Sequence, residues 1–204
     1  MQLIGMLDSP YVRRVAVSLH WLGLPFEHRS VSVFRQFDAF AAINPVVKAP
    51  TLVADDGTVL MDSTLILQHL DSIAPSGRSL VPVAPEASLR DLRLTGLALA
   101  GCEKAVQTVY EKTLRPVEKQ HAPWLARVEG QMEAAFDALE AELRASPLPT
   151  DEPRLTQAAL TTAVVWRFAD ALESVPLDAE RWPALGDHGR ACESLAAFRA
   201  APHD

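Results

Sequence analysis

Three short motifs in the first third of the chain carry residue types that could hold a ligand and act on it. Ser9-Pro10 closes the first hydrophobic run, Lys48-Ala49-Pro50-Thr51-Leu52 opens a later one, and Asp62-Ser63 stands between a strand pattern and a helical one. Each lies at the end of a regular element, where backbone donors have no partner within the element and are left over for a ligand. A serine hydroxyl at a helix start points into the partial positive field of that terminus, and Pro10 suits the first helical position. Taken singly, Ser9 and Asp62-Ser63 also read as plain helix caps, worth about 1 kcal/mol each. Lys48 taken singly is a solvated surface charge.

The elements that must position these motifs can be read from the apolar spacing. Gln2 to Met6 is a strand pattern, and Val12, Val15, Leu19 and Leu22 follow at helical spacing until Gly23 stops them. Phe26 to Val33 reads as the next strand and Arg35 to Ile43 as a helix. Thr51 to Ala54 and Val59 to Met61 read as two strands joined by the Asp55-Asp56-Gly57 turn, and Ile66, Leu70 and Ile73 mark a helix lying on them. The order βαβαββα predicts a small mixed sheet with helices packed on it.

From Ala74 to Pro85 the chain carries Pro75, Pro82, Pro85 and Gly77, a composition that ends periodic structure and suits a linker. Beyond it the long segments are helical. Leu89, Leu92 and Leu97 mark one helix, Leu125, Val128, Met132, Phe136, Leu139 and Leu143 a second, Leu160, Val164, Phe168 and Leu172 a third, and Leu185 to Phe198 one or two short ones. The expected organisation is an α/β domain over 1–74, a linker over 75–85 and an all-α domain over 86–204.

Composition narrows the partners. Nineteen Lys and Arg against 26 Asp and Glu give a net charge of −7, which leaves no source for the attraction that nucleic-acid binding needs. No stretch is uncharged for the ~20 residues of a bilayer span, and Met1 to Asp8 has no basic leader pattern, so no membrane partner and a cytoplasmic location are expected. Cys102 and Cys192 form no C-x-x-C pair and read as reduced, buried thiols. No two of the six histidines are four residues apart, and no metal is expected.

The sequence of a strand, Ser9-Pro10, a helix, Asn44-Pro45, Lys48-Ala49-Pro50-Thr51-Leu52, Asp62-Ser63, a proline-rich linker and a helical region resembles a cytosolic glutathione S-transferase. The likeness covers essentially the whole chain and is strongest from Met1 to Ile73. It implies a thioredoxin-like N-terminal domain, an all-helical C-terminal domain, glutathione as co-substrate and a homodimer with much of its interface before Leu114 and after Trp124. The implied activity is conjugation of the glutathione thiolate to a small hydrophobic electrophile. Alternatives are peroxide reduction or isomerisation with the same thiolate, or a non-catalytic scaffold that kept the fold.

The resemblance also assigns roles. Ser9, in a Ser9-Pro10-Tyr11 sequence like that of tau-like members, would activate a thiol whose pKa near ~8.5 otherwise leaves little thiolate at neutral pH. Pro50 matches the family's cis-proline, which presents the backbone of Ala49 to the cysteinyl part of glutathione. Ser63 would hold the γ-glutamyl carboxylate, Asp62 the ammonium and Lys48 the glycyl carboxylate. Tyr11, Glu103, Gln107 and Tyr110 would line the electrophile pocket between the domains. The lack of a cysteine at the position of Ser9 argues against thiol-transfer chemistry.

Some residues depart from the pattern or serve packing. Asp8 puts a like charge near the thiolate, which raises a thiol's pKa. Thr156 matches a helix cap, but Ala159 stands where an acidic partner usually completes it. Arg13 and Arg14 are expected in structural ion pairs, with a phosphate-like or carboxylate ligand as the alternative, and Tyr110 and Trp166 in the core or an interface. Gly96 and Gly101 imply close helix packing or room for a ligand.

Overall fold

The first strand is short because glycine ends it. β1 (Gln2–Ile4) stops at Gly5, whose φ of 137° is open to glycine and not to other residues. A Cβ there would stand 2.6 Å from Val12 Cγ2, so the chain passes close over α1 (Pro10–Leu22) as it turns. α1 ends where Gly23 takes the left-handed conformation (φ 70°) and donates back to His20. β2 (Glu27–Arg29) is shorter than the Phe26–Val33 run, because Ser32 Oγ accepts from the N–H groups of Phe34 and Arg35 and starts a turn. α2 (Phe37–Ala41), β3 (Thr51–Val53), β4 (Val59–Met61) and α3 (Ser63–Ser72) complete the expected βαβαββα order.

The computed structural model describes residues 1–175, 177–178 and 180–203. They divide into two compact units, one of Met1–Val81 with the stretch from Ser194 onward, the other Pro82–Glu193. In the first, the sheet order is β2-β1-β3-β4, with β1 parallel to β2 and antiparallel to β3, and β3 antiparallel to β4. Leu3 and Ile4, both fully buried, point to opposite faces as neighbours on a strand must. Ile4 packs with Val31 and Phe40. α1 packs against α3 and against α8 (Ala196–Ala200), a short helix near the end of the chain. Arg13, with no exposed surface, secures that return: its Nε donates to the Ala201 carbonyl at 2.9 Å and its guanidinium lies 5.8 Å from the Phe198 ring centre.

The second unit consists of α4 (Pro85–Thr113), α5 (Ala122–Ala145), α6 (Gln157–Asp170) and α7 (Pro183–Glu193), with short 3₁₀ turns at Val117–Lys119 and Glu152–Arg154. α4 packs on α5 and α6 with a seam of small residues, Ala98, Gly101, Cys102 and Ala105. Leu89 and Leu92, the apolar markers of that helix, are 70% and 66% exposed. At Gly101 a Cβ would meet Phe136 at 2.7 Å, so this glycine allows close helix packing, whereas Gly96 faces open space. Phe136, Trp166 and Trp182 form an aromatic cluster with ring centres 5.5 to 6.4 Å apart, and Trp182 donates to Asp137 at 2.8 Å. Among the described residues no helix is long and apolar enough to cross a membrane.

The half cap at Thr156 is completed by another helix. Thr156 Oγ1 accepts from Ala159 N–H at 3.3 Å, and the Asp91 carboxylate of α4 accepts from Ala158 N–H at 3.0 Å. Ala159 is therefore no loss, since the acidic group arrives from 67 residues away. Burial pushes the Asp91 carboxyl above its ordinary value, against hydrogen bonds from Thr156 and Ala158 that pull it down. Asp91→Ala should cost about 2 kcal/mol in urea denaturation, through lost capping of α6. The raised folded-state value means that Asp91 favours the fold fully below the ordinary carboxylate pKa and loses that contribution as pH rises through the higher one. Asp91→Asn should accordingly lose less stability than the unaltered chain as pH is raised through the carboxylate range.

Candidate functional site

Strand register brings the three motifs to one end of one sheet. Ile4 pairs with Thr51 and Thr51 with Met61, so these residues form a row across β1, β3 and β4. From this row the chain leaves Ile4 toward Ser9, enters Thr51 from Lys48-Ala49-Pro50, and leaves Met61 into Asp62-Ser63. Gly5 makes the approach close, since a Cβ on it would be 3.3 Å from Ala49 Cβ.

Ser9 caps α1. Its Oγ accepts from Val12 N–H at 3.4 Å and its N–H donates to the Met6 carbonyl at 3.2 Å. A hydroxyl that accepts from the helix keeps its own proton for a different acceptor. Capping and donation to an anion are thus compatible at Ser9. Pro10 takes the first helical position, Tyr11 is half-buried on α1, and Asp8 is exposed.

The loop before β3 is held from within. Asn44, 2% exposed, donates from Nδ2 to Thr51 Oγ1 at 2.9 Å and accepts from Val46 N–H at 3.0 Å. Thr51 Oγ1 in turn donates to the Lys48 carbonyl at 2.7 Å. The Ala49–Pro50 peptide is cis, Pro50 is buried, Ala49 is half-buried and Lys48 is exposed. Asn44 was legible as part of a motif, but its holding of the loop was not.

At the start of α3, Asp62 Oδ1 accepts from Thr64 N–H at 2.9 Å and so caps the helix, with carboxylate lone pairs still available. Ser63 is 4% exposed and its Oγ accepts from Arg14 Nη1 at 3.2 Å. The same Nη1 lies 3.3 Å from Thr64 Oγ1. Among the described residues, Val47 (φ 52°) and Asp62 (φ 71°) are the non-glycine positions with positive φ, and both border this end of the sheet. Such conformations cost about 1–3 kcal/mol each and persist where the surroundings impose them, often at functional sites.

The four residues expected around an electrophile fall in different units. Tyr11 belongs to the first, while Glu103, Gln107 and Tyr110 share a face of α4 in the second. Gln107 Nε2 donates to Glu103 at 2.7 Å, and burial raises the pKa of Tyr110, a residue that is 45% exposed. Cys102 and Cys192 are buried and outside any disulfide, and burial lifts Cys192 to about 12, which keeps it protonated.

Comparison with known proteins fits this arrangement. Residues 3–79 match the family model described as glutathione S-transferase, N-terminal domain. The uncharacterized GST-like protein YibF of Escherichia coli (strain K12) is 30% identical over 166 residues, which cover 80% of each chain. A glutathione S-transferase of Methylobacterium radiotolerans, solved in complex with glutathione sulfonate, superposes with a TM-score of 0.85 at 27% identity, covering 100% of this chain and 95% of that one. A glutathione transferase family member from Pseudomonas fluorescens Pf-5, solved with bound glutathione, gives 0.83 at 26% identity over 100% of this chain and 98% of that one.

Proposed function

The chain belongs to the glutathione S-transferase family, and from that membership we propose that it binds glutathione at this end of the sheet and transfers its thiolate to a small hydrophobic electrophile. The observation that carries the reading is the row Ile4–Thr51–Met61, from which the chain runs to a hydroxyl at a helix start, to the Lys48–Pro50 loop and to a second helix start. In this reading Ser9 donates to the sulfur, Ala49 pairs through its backbone with the cysteinyl unit, and Ser63 meets the γ-glutamyl carboxylate. Asp62 meets the ammonium and Lys48 the glycyl carboxylate. Deprotonation is the step that gains, because the thiolate is the nucleophile and a donor aimed at the sulfur lowers the energy of that anion. The sulfur then bonds to the electrophilic carbon, and any leaving group departs with its electron pair.

Calorimetric titration with glutathione, followed by a conjugation assay on an aromatic halide, tests the reading. Binding with turnover is expected, and absence of binding would overturn it. Asn44→Ala should cost about 1–2 kcal/mol of stability and weaken glutathione binding several-fold, because Thr51 loses its donor and the Lys48–Pro50 loop loses its anchor. We extend the reading to a homodimer, supported by the two large leucines on one side of α4, Leu89 and Leu92, that the unit leaves exposed. Light scattering should return twice the chain mass at micromolar concentration, and a monomer would refute it.

A further inference from the structure

We propose that Arg14 is a positioning residue for the γ-glutamyl carboxylate, acting through the hydroxyls of Ser63 and Thr64. This rests on the glutathione reading and extends it to a residue that the ligand need not touch. Arg14 lies on α1 and is 2% exposed, an unusual degree of burial for a guanidinium. Its Nη1 stands 3.2 Å from Ser63 Oγ and 3.3 Å from Thr64 Oγ1. A guanidinium only donates, so both hydroxyls must accept from it, and each keeps its proton for an acceptor elsewhere. Arg14 thereby turns two groups of either polarity into donors.

The first turn of α3 adds N–H groups without intrahelical partners, and the helix field has the same sign. Asp62 takes Thr64 N–H, which leaves the donors of Ser63 for an incoming anion. The outcome is a start of α3 that favours a carboxylate over a neutral group, with the guanidinium charge behind it. The left-handed backbone at Asp62 (φ 71°) fixes the angle at which Ser63 enters the helix.

The test compares two ligands, glutathione and its analogue without the γ-glutamyl α-carboxylate, on the unaltered chain, Arg14→Met and Ser63→Ala. The unaltered chain should bind glutathione about tenfold or more tightly than the analogue, the worth of a charge-assisted hydrogen bond. In both variants the preference should narrow to within about twofold, because glutathione loses affinity and the analogue does not. A purely structural role would weaken both ligands by the same factor, and that result would overturn the proposal. If Arg14→Met does not fold, Arg14→Lys decides: its shorter reach and single ammonium lose the hold on the two hydroxyls, so the preference should narrow there too, and an unchanged preference in Arg14→Lys would overturn the proposal. Equal binding of the two ligands by the unaltered chain would also overturn the proposal while leaving glutathione binding intact. Absence of glutathione binding would instead remove the underlying reading and this proposal together.

Discussion

Replacing Ser9 with Ala lowers the rate of conjugation about a hundredfold, the usual loss when a donor to a developing or stabilised anion is removed. Glutathione affinity should change by less than about threefold, because the backbone of Ala49 and the start of α3 still hold the peptide. On the proposed reading the two effects separate, because Ser9 then does two jobs with two parts of one hydroxyl. Its oxygen accepts from Val12 N–H at 3.4 Å, and its proton would go to the sulfur. Loss of the cap should cost about 1 kcal/mol of stability, too little to unfold the chain. Rates measured at saturating glutathione, with a melting curve as control, check the expectation. Unchanged turnover would remove Ser9 from the mechanism.

The second large effect is structural. Gly5→Ala should destabilise the chain by about 3 kcal/mol, combining a φ that other residues resist with an overpacked contact. The added Cβ would lie 2.6 Å from Val12 Cγ2 and 3.3 Å from Ala49 Cβ, so relief must come from α1 or from the loop that carries Ala49. Either shift opens the place where two of the motifs meet. Urea denaturation should show the loss of stability, and glutathione binding should weaken with it. A variant as stable as the unaltered chain would mean that β1 and α1 yield more easily than their packing implies.

Most of the fold was legible because it is written in local periods. Val12, Val15 and Leu19 repeat at helical spacing and are fully buried, and the Asp55-Asp56-Gly57 turn joins two strands where it should. The three motifs could be recognised because their residue types are unusual at element ends. What joins them is non-local, and sequence spacing does not encode it. The row Ile4–Thr51–Met61 depends on strand register, the second half of the α6 cap arrives from Asp91, and Arg14 reaches a helix 49 residues on. Leu89 and Leu92 marked α4 but lie on its exposed side, while the helix buries Leu94 with alanines, a glycine and a cysteine. The docking of α8 on α1 is equally silent, since five residues are too few to show a period.

The electrostatic balance at the sulfur decides the central claim. In the proposed site Ser9 and the start of α1 would favour the thiolate, while Asp8, exposed and next in sequence, would oppose it. The most direct measurement is an ultraviolet difference titration of the protein with glutathione against pH, following thiolate absorbance. A bound thiol titrating well below ~8.5, and returning toward that value in Ser9→Ala, is the predicted result. A bound thiol that titrates at or above the free value, unchanged by the substitution, would contradict the account.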